Sequence, residues 1–400
     1  MRSVVRALLF VFVFAIPWEY SLDFGTPWGN IARLAGLALL ATAIPAILQA
    51  GRMRAPGLLQ WLSLALFIFL CATCLWSIEP EVTLRRLPGY LQEVMIVWLV
   101  SEYIDSPNDL RNLLYAWLAG CVVLAGLTLS SVAAAVHSTD QSRFFAAGQD
   151  PNDTARFLAL GLPLAALLAE QAEKAWQRLL TLLYLPLGII AIIATASRGG
   201  FVAMLVALLG SGALIARSPR IRARRLLMTS QVIIAAGFLT ILRGSAARIA
   251  TIAAQLNGGD LNQRINIWQE GWHAFVRAPL LGHGAGTFTS ASGLSPIDTA
   301  HNTALSILVE GGIAGLAIGV AIVAWCAVMT GAVRKELRIA LISMLGTWTV
   351  ASLVGTTGES RTTWLLFAVI AVAARMQSAR EPSKTLLESD GYLISAEAGA

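Results

Sequence analysis

The sequence predicts an all-α polytopic membrane protein with about twelve transmembrane helices and one large, structured outer loop that contains short amphipathic helices. Hydrophobic residues make up 56% of the 400 residues, and charged residues make up only 13%. That charged share is about half of what soluble domains carry. The hydrophobic residues fall in runs of roughly 17–25, and each such run is long enough to cross a bilayer as a helix.

The runs divide the chain into four parts. Nine predicted spans lie within residues 1–242, and three lie within 302–377. The segment between them, 243–301, is the outer loop, and 378–400 form a polar tail that we expect to be disordered. The predicted spans cover residues 4–18, 31–49, 58–78, 89–104, 110–136, 154–170, 178–196, 199–216, 225–242, 302–331, 337–355 and 361–377.

The distribution of lysine and arginine predicts the orientation, because these residues favour the cytoplasmic side. With both termini inside, the inner connections hold 18 of the 29 Lys and Arg residues, including every lysine. The loop 243–301 is then outside, in the periplasm of a Gram-negative bacterium, and the spans cross the inner membrane. The net charge of +6 therefore reflects topology and predicts contacts with anionic lipids, not with nucleic acid.

The outer loop contains two predicted helices. In 245–256, three apolar residues share one stripe, as in a helix that lies on a membrane surface: Ile249, Ile252 and Leu256. Asp260 is the expected N-cap of the second helix, with Gln263 three residues later. This second helix ends before Pro279 and has one apolar face: Ile265, Trp268, Trp272 and Phe275.

His301 is the candidate general base. It lies at the predicted N-terminus of the tenth span, where the positive end of the helix dipole disfavours an imidazolium ion. A neutral imidazole can accept a proton at neutral pH. The alternative is an interfacial histidine that only caps the helix end. His273 and His283 are interpreted as structural.

Arginines on the outer side are the candidate anion-binding groups. Arg198 lies in Ser197-Arg198-Gly199-Gly200, where the free N–H groups of a helix start and a guanidinium make a good seat for a phosphate. Arg264 lies in the first turn of the second loop helix. Arg143, Arg156 and Arg361 are also on the outer side, and guanidinium suits bidentate recognition of phosphate. For any single arginine, the alternative is anchoring to lipid headgroups.

The carboxylates indicate less. Asp150 is predicted to cap the sixth span, and Glu359 is expected to pair with Arg361. Glu93 is the main candidate for a charge in the middle of a span. Neither an H-E-x-x-H motif nor a G-x-S-x-G or Walker motif is present, so we expect no metal and no cofactor.

Several motifs of the chain, taken in their sequence order, resemble those of the O-antigen ligase family, within the wider group of bacterial O-antigen polymerases and ligases. The resemblance covers essentially the whole chain. It is carried by Ala196-Ser197-Arg198-Gly199-Gly200, by Arg264 with Trp268 and the run Pro279-Leu280-Leu281-Gly282-His283-Gly284-Ala285-Gly286, and by His301-Asn302-Thr303 leading to Glu310-Gly311-Gly312, with Asp150-Pro151-Asn152 in addition.

The resemblance implies a metal-independent glycosyltransferase that moves an O-antigen glycan from undecaprenyl diphosphate to the core sugar of lipid A, at the periplasmic face. It implies that Arg198 and Arg264 hold the diphosphate and that His301 activates the acceptor hydroxyl. Asn302 joins the outer arginines as a substrate-binding candidate. The chain shows no paired nucleophilic carboxylate, which favours a single displacement with inversion.

Other functions compete with this hypothesis. An O-antigen polymerase uses the same donor with a lipid-linked glycan as acceptor. A protein O-oligosaccharyltransferase usually has a further outer domain after the last span, where this sequence has a short inner tail. A transporter of lipid-linked glycans tends to carry charges at mid-membrane and repeated halves, and here Glu93 is the main such charge.

Overall fold

The computed structural model of the protein describes residues 1–25, 29–134, 143–220, 243–261, 263–295 and 298–378, together with residues 232, 234, 236 and 237. Within these ranges every regular element is a helix, and no β-strand occurs. The all-α class predicted from the sequence is therefore confirmed for this part of the chain. The predicted ninth span, 225–242, lies almost entirely outside the described residues, as does the tail after residue 378.

The helices follow the predicted order. Those before the outer loop are α1 (Arg2–Ala15), α2 (Ile31–Ala50), α3 (Leu58–Ala72), α4 (Pro80–Tyr103), α5 (Pro107–Ala133), α6 (Pro151–Gln171), α7 (Ala175–Ala194) and α8 (Arg198–Arg217). The loop contains α9 (Arg243–Ala250), α10 (Ile252–Leu256), α11 (Arg264–Arg277) and α12 (Phe288–Ala291). After it come α13 (Thr303–Gly331), α14 (Lys335–Leu353) and α15 (Arg361–Ser378).

In the described part of the chain, eight helices are long and apolar enough to cross a membrane, each judged by length and composition alone. They are α1 with the short 3-10 helix that follows it, α2, α3, α5, α7, α8, α13 and α14. Helices α4, α6 and α15 are of similar length but carry charged residues such as Glu93, Arg156 and Arg375. The protein is thus a multi-pass membrane protein, and about twelve spans remain a prediction.

Helix α6 lies at the centre of the bundle, and its side chains from Thr154 to Ala169 are buried all round. It packs against α5, α7, α8 and α14. Small residues allow this close packing, because they let helix backbones approach each other. A Cβ atom on Gly200 of α8 would lie 2.2 Å from the Cβ atom of Ala155 in α6, so this crossing requires glycine.

The loop is helical in both predicted segments, but the first predicted helix, 245–256, is divided at Thr251 into α9 and α10, and the start of the second differs from the prediction. We expected Asp260 to cap the second loop helix, and this prediction is wrong: α11 begins at Arg264, with Gln263 at the cap position. The reason is local, since Leu261 and Gln263 both have positive φ angles, 50° and 62°, which an α-helix does not allow. Arg264 therefore becomes the first residue of the helix.

Helix α13 is broken at Gly312, where φ is 61° and ψ is −161°. The loop segment before α12 replaces the lost helical hydrogen bonds: Ile313 N donates to Pro279 O (2.8 Å) and Ala314 N donates to Leu280 O (3.1 Å). In return, His283 N donates to Val309 O (2.9 Å). Because backbone groups at membrane depth must be satisfied internally, this exchange holds the loop firmly on α13.

Candidate active site

The starts of four helices meet at one cavity of about 410 Å³ on the predicted outer side. They are the first turns of α6, α8 and α11 and the residues that lead into α13. Each helix start carries a partial positive charge and free N–H groups. We call this space the arginine cavity; its lining includes Asp150, Asn152, Asp153, Arg156, Ser197, Gly199, Gly200, Arg264, Asp298, Thr299, His301 and Thr356.

The start of α8 is built by Ser197 and Asn152. Gly200 N donates to Ser197 Oγ (3.1 Å), so Ser197 caps the helix. The Ser197 hydroxyl in turn donates to Asn152 Oδ1 (2.9 Å). Asn152 belongs to the first turn of α6, which Asp150 caps as predicted, by accepting from Asn152 N (2.7 Å). The two helix starts are therefore locked together through one side-chain amide.

Arg143 is held by the same amide. Its Nη2 donates to Asn152 Oδ1 (3.0 Å) and its Nε donates to Thr195 O (3.0 Å). Burial, followed by the positive charge of Arg248, lowers the pKa of Arg143 to about 10. Arg198 and Arg264 add to this effect, which indicates that the four guanidinium groups lie near one another.

Arg198 and Arg264 begin two of the four helices. Arg198 Nη1 donates to Thr251 Oγ1 (3.2 Å), which joins α8 to the loop between α9 and α10. Burial lowers the pKa of Arg264, and the charge of Arg198 lowers it further. Among the described residues no carboxylate forms an ion pair with Arg143, Arg198, Arg248 or Arg264. Clustered cations without a carboxylate partner are suited to bind an anion.

Arg248 is a member of this cluster that the sequence analysis did not single out. Its pKa is lowered by burial and then by Arg198, and it lies on α9, just before Thr251. The predicted topology places Arg248 on the outer side, as it does the other arginines of the cluster. Nothing in the local sequence distinguishes it, because its place near Arg198 depends on how α9 packs against α8.

His301 lies at the edge of the cavity, two residues before the first turn of α13. Its Nδ1 is 3.2 Å from Thr299 Oγ1, and Trp268 Nε1 fixes the preceding residue by donating to Ala300 O (3.0 Å). Burial lowers the pKa of His301, and the charge of Arg264 lowers it further. The lowered pKa favours the neutral imidazole, and its main physical cause is burial.

Residues with strained backbone occur just before three of these helix starts. The non-glycine residues with positive φ in the described part of the chain are Ala196, Leu261, Gln263 and His301. Ala196 and Gln263 lead directly into the helices that begin with Arg198 and Arg264. Such conformations cost about 1–3 kcal/mol each and cluster at functional sites. Their positions independently support this cavity as the functional site.

The remaining predicted site residues lie in different surroundings. Arg156 lines the arginine cavity, and its Nη1 is 3.0 Å from Asp153 Oδ1. Arg361 forms an ion pair with Glu19 and donates to Gln92 Oε1 (2.6 Å), away from the arginine cluster. Asn302 caps α13 by accepting from Leu305 N (3.0 Å).

The expected ion pair between Glu359 and Arg361 is wrong. Glu359 instead accepts from Arg86 Nη1 (2.9 Å) and from the Tyr90 hydroxyl (2.9 Å), both on α4. Glu359 thus binds α4 alone, whereas Arg361 binds both Gln92 of α4 and Glu19. The pairing follows from the packing of α15 against α4 and not from sequence spacing.

Two further cavities adjoin the arginine cavity. A polar chamber of about 320 Å³ is lined by residues that include Glu19, Tyr20, Arg86, Asp153, Arg156, Phe157, Phe288, Asp298, Thr299, Ser306, Glu310, Thr356 and Glu359. An apolar groove of about 410 Å³ is lined by residues that include Leu66, Phe69, Tyr90, Glu93, Ile307, Gly311, Gly315, Gly319, Trp348, Thr356, Trp364 and Phe367. Thr356 lines all three spaces, so they lie next to one another.

Residues 183–320 match the model of the family described as O-antigen ligase. The matched segment starts within α7 and ends within α13, so it includes Arg198, Arg264 and His301 but not Arg143, Asn152 or Arg156. A search of the curated proteins found no match to the chain.

Proposed function

We propose that the chain transfers a glycan from undecaprenyl diphosphate to the core sugar of lipid A, since its residues 183–320 match the model of the O-antigen ligase family. The observation that carries the proposal is the arginine cavity, which is lined by four helix starts, Arg264 and His301. Through Arg264 it lies beside the cluster that this residue forms with Arg143, Arg198 and Arg248. This combination suits a reaction with an anionic leaving group and one base.

The donor diphosphate occupies the arginine cavity in this proposal. Negative charge grows on the leaving diphosphate as its bond to the anomeric carbon breaks. In this proposal Arg198, Arg264 and the free N–H groups of the helix starts bind that charge and so stabilise the transition state. Each charge-assisted hydrogen bond contributes about 1.5–3 kcal/mol, which corresponds to roughly a ten- to hundred-fold effect on rate per contact.

His301 is the general base of the proposed reaction. The acceptor hydroxyl oxygen forms a bond to the anomeric carbon, the bond from that carbon to the diphosphate oxygen breaks, and the hydroxyl proton passes to the imidazole. One displacement inverts the anomeric configuration, and undecaprenyl diphosphate leaves. Thr299 accepts a hydrogen bond from Nδ1–H in the tautomer that leaves Nε2 free to take the proton.

The apolar groove supports a lipid-linked donor. Its walls are the glycine-rich face of α13, aromatic residues of α14 and α15, and Phe69 of α3. It reaches the polar chamber and the arginine cavity at Thr356. A polyprenyl chain in the groove keeps its apolar surface out of water while its diphosphate lies among the arginines.

Transfer by the purified protein tests the proposal. In detergent with undecaprenyl-diphosphate glycan and lipid A-core, glycan on lipid A-core is the expected product. Longer lipid-linked glycans instead would make the protein an O-antigen polymerase. The absence of both products from well-folded protein would overturn the glycosyltransferase proposal.

The His301→Asn variant tests the base. Asparagine tolerates the left-handed backbone at this position but has no basic nitrogen, so transfer falls by about 10²–10⁴-fold while donor binding persists. His273→Asn is the matched control, because His273 lies exposed on α11 of the same loop. Normal transfer by His301→Asn would remove His301 from the mechanism.

A further inference from the structure

We propose that the polar chamber is the binding site for the acceptor sugar, and that it selects a neutral or amino sugar over a phosphorylated or carboxylated one. This inference rests on the proposed transfer reaction and adds to it the chemical class of the acceptor. The chamber is formed by the 3-10 helix after α1, by α4, α6 and α12, and by the starts of α13 and α15. Apart from the candidate residue Arg156, none of its lining residues was predicted to bind substrate.

The position of the chamber fits an acceptor. It shares Asp298, Thr299 and Thr356 with the arginine cavity, and Thr299 is the hydrogen-bond partner of His301. The base therefore lies at the boundary between the two spaces. In an inverting displacement, the acceptor attacks the face opposite the leaving group. A diphosphate among the arginines leaves the chamber as the space on the attacking side.

Carboxyl groups outnumber guanidiniums in the chamber. Its lining includes five carboxyl groups, those of Glu19, Asp153, Asp298, Glu310 and Glu359, and the guanidiniums of Arg86 and Arg156. Both guanidiniums are already paired, Arg156 with Asp153 (3.0 Å) and Arg86 with Glu359 (2.9 Å), and Glu19 is paired with Arg361. No arginine of the lining is left for an anionic sugar, and the Asp298 carboxylate, which has no ion-pair partner among the described residues, repels one.

Polar groups on the shared wall are available for sugar hydroxyls. The hydroxyl oxygen of Thr356 is buried and has no hydrogen-bond partner among the residues that the structure describes. The Asp298 carboxylate forms no hydrogen bond or ion pair with a described residue, and it lines both cavities. A buried hydroxyl without a partner is costly unless a ligand or water satisfies it. A carboxylate only accepts hydrogen bonds, so it suits hydroxyl and ammonium donors.

The shape of the chamber also suits a sugar ring. Its volume of about 320 Å³ lies at the lower end of the range for small-molecule sites, roughly 300–1,000 Å³. Tyr20, which is 46% exposed, and Phe288 both belong to its lining. Aromatic rings can cover the apolar C–H face of a sugar while carboxylates bind its hydroxyls.

Competition in the transfer assay tests the inference. The probes are methyl glucoside, methyl glucosaminide, glucose 6-phosphate and glucuronic acid, each added with lipid A-core as acceptor. We expect the first two to inhibit transfer at least ten-fold more strongly than the two anionic sugars. Equal or stronger inhibition by the anionic sugars would overturn the assignment.

The Asp298→Asn variant identifies the site. We expect a several-fold increase in KM for lipid A-core, an unchanged KM for the donor, and weaker discrimination against glucose 6-phosphate. The assay is run at pH 8, where His301 is neutral in both proteins. Glu270→Gln is the control, because Glu270 lies exposed on α11 outside the chamber. An increase in donor KM alone would assign the chamber to the donor glycan and overturn the inference.

Calorimetry without donor separates the two hypotheses. Methyl glucoside binding that is weakened by Asp298→Asn supports the chamber even if the protein transfers no glycan. Transfer that depends on His301, together with no selective sugar binding, would overturn the acceptor site and leave the proposed function intact.

Discussion

At the residue scale, His301 and Arg264 are coupled through charge. The guanidinium of Arg264 holds the pKa of His301 down, after burial, while the carboxylates of Asp150 and Asp298 oppose this effect. The same arginine is proposed to bind the leaving diphosphate. One side chain therefore influences both the leaving group and the protonation state of the base, and mutation of Arg264 should alter the pH dependence as well as the rate.

The pH profile of transfer reports this coupling. The base acts when neutral, so kcat/KM falls as the pH drops through the pKa of His301, which lies below 6.5 in the free enzyme. In Arg264→Gln the lost positive charge raises that pKa, and the acid limb moves to higher pH. In Asp298→Asn the lost negative charge lowers it, and the limb moves to lower pH.

An arginine elsewhere on the outer side is the control for this measurement. Arg85 is exposed on α4 and does not affect the pKa of His301, so Arg85→Gln should leave the acid limb in place. If the acid limb of the kcat/KM profile lies at the same pH in Arg264→Gln and in the unchanged protein, a group other than His301 controls the pH dependence.

At the element scale, the broken helix α13 explains two glycine motifs that the sequence analysis could only match to a family. Gly282 in the loop lies against the backbone of α13 at Glu310, and Gly312 in α13 lies against the backbone of the loop at Leu280. A Cβ atom on Gly282 would lie 2.4 Å from the carbonyl carbon of Glu310, and one on Gly312 would lie 2.4 Å from that of Leu280. Both motifs thus have a structural role: they dock the loop, and with it His301, onto the membrane helix.

Alanine substitutions test this docking. Gly312→Ala combines a glycine-only backbone conformation with contact against backbone that cannot move aside. We expect it to destabilise the protein by at least about 3 kcal/mol, measured as thermal unfolding in detergent, and to lower transfer. Gly293→Ala also places alanine at positive φ, 66°, but meets nothing within 4 Å, so its cost should be only about 1–2 kcal/mol.

The comparison separates steric docking from backbone strain. Equal losses of stability in Gly312→Ala and Gly293→Ala would mean that the contact between the loop and α13 contributes little. Loss of transfer in Gly312→Ala without loss of stability would instead indicate a direct effect on the site.

At the scale of the whole molecule, three neighbouring spaces lie between the membrane-embedded helices and the helix starts. The apolar groove, the polar chamber and the arginine cavity share Thr356 in their linings. The chain thus places an apolar space beside two polar ones over a short distance. This arrangement suits a reaction whose participants are a lipid chain, a sugar and a diphosphate, provided that the open end of the site faces the periplasm.

Cysteine labelling of intact cells checks the orientation. Ser295 and Arg52 are both exposed, and the positive-inside distribution places them on opposite sides. A membrane-impermeant maleimide should label Ser295→Cys and leave Arg52→Cys unlabelled until the cells are broken. The unchanged protein, with its own Cys71, Cys74, Cys121 and Cys326, gives the background. The reverse pattern would place the site in the cytoplasm.

The sequence by itself determined the helical class, most helix bounds and the cap of α6. Helix formation in a membrane is decided by the local run of apolar residues, and capping is decided within one turn. Asp150 could therefore be placed from its neighbours alone. Leu261 and Gln263 show the limit of this local reasoning, because their left-handed conformations move the start of α11 from the expected Asp260 to Arg264.

Only the tertiary structure decided which outer residues share a site. It brings Arg248 to Arg198 and Asn152 to Ser197 and Arg143, and it turns Glu359 toward Arg86 instead of Arg361. It also joins the polar chamber to the arginine cavity. Partners far apart in the chain meet through helix packing, and packing depends on the fit of whole helix faces, which no short stretch of sequence contains.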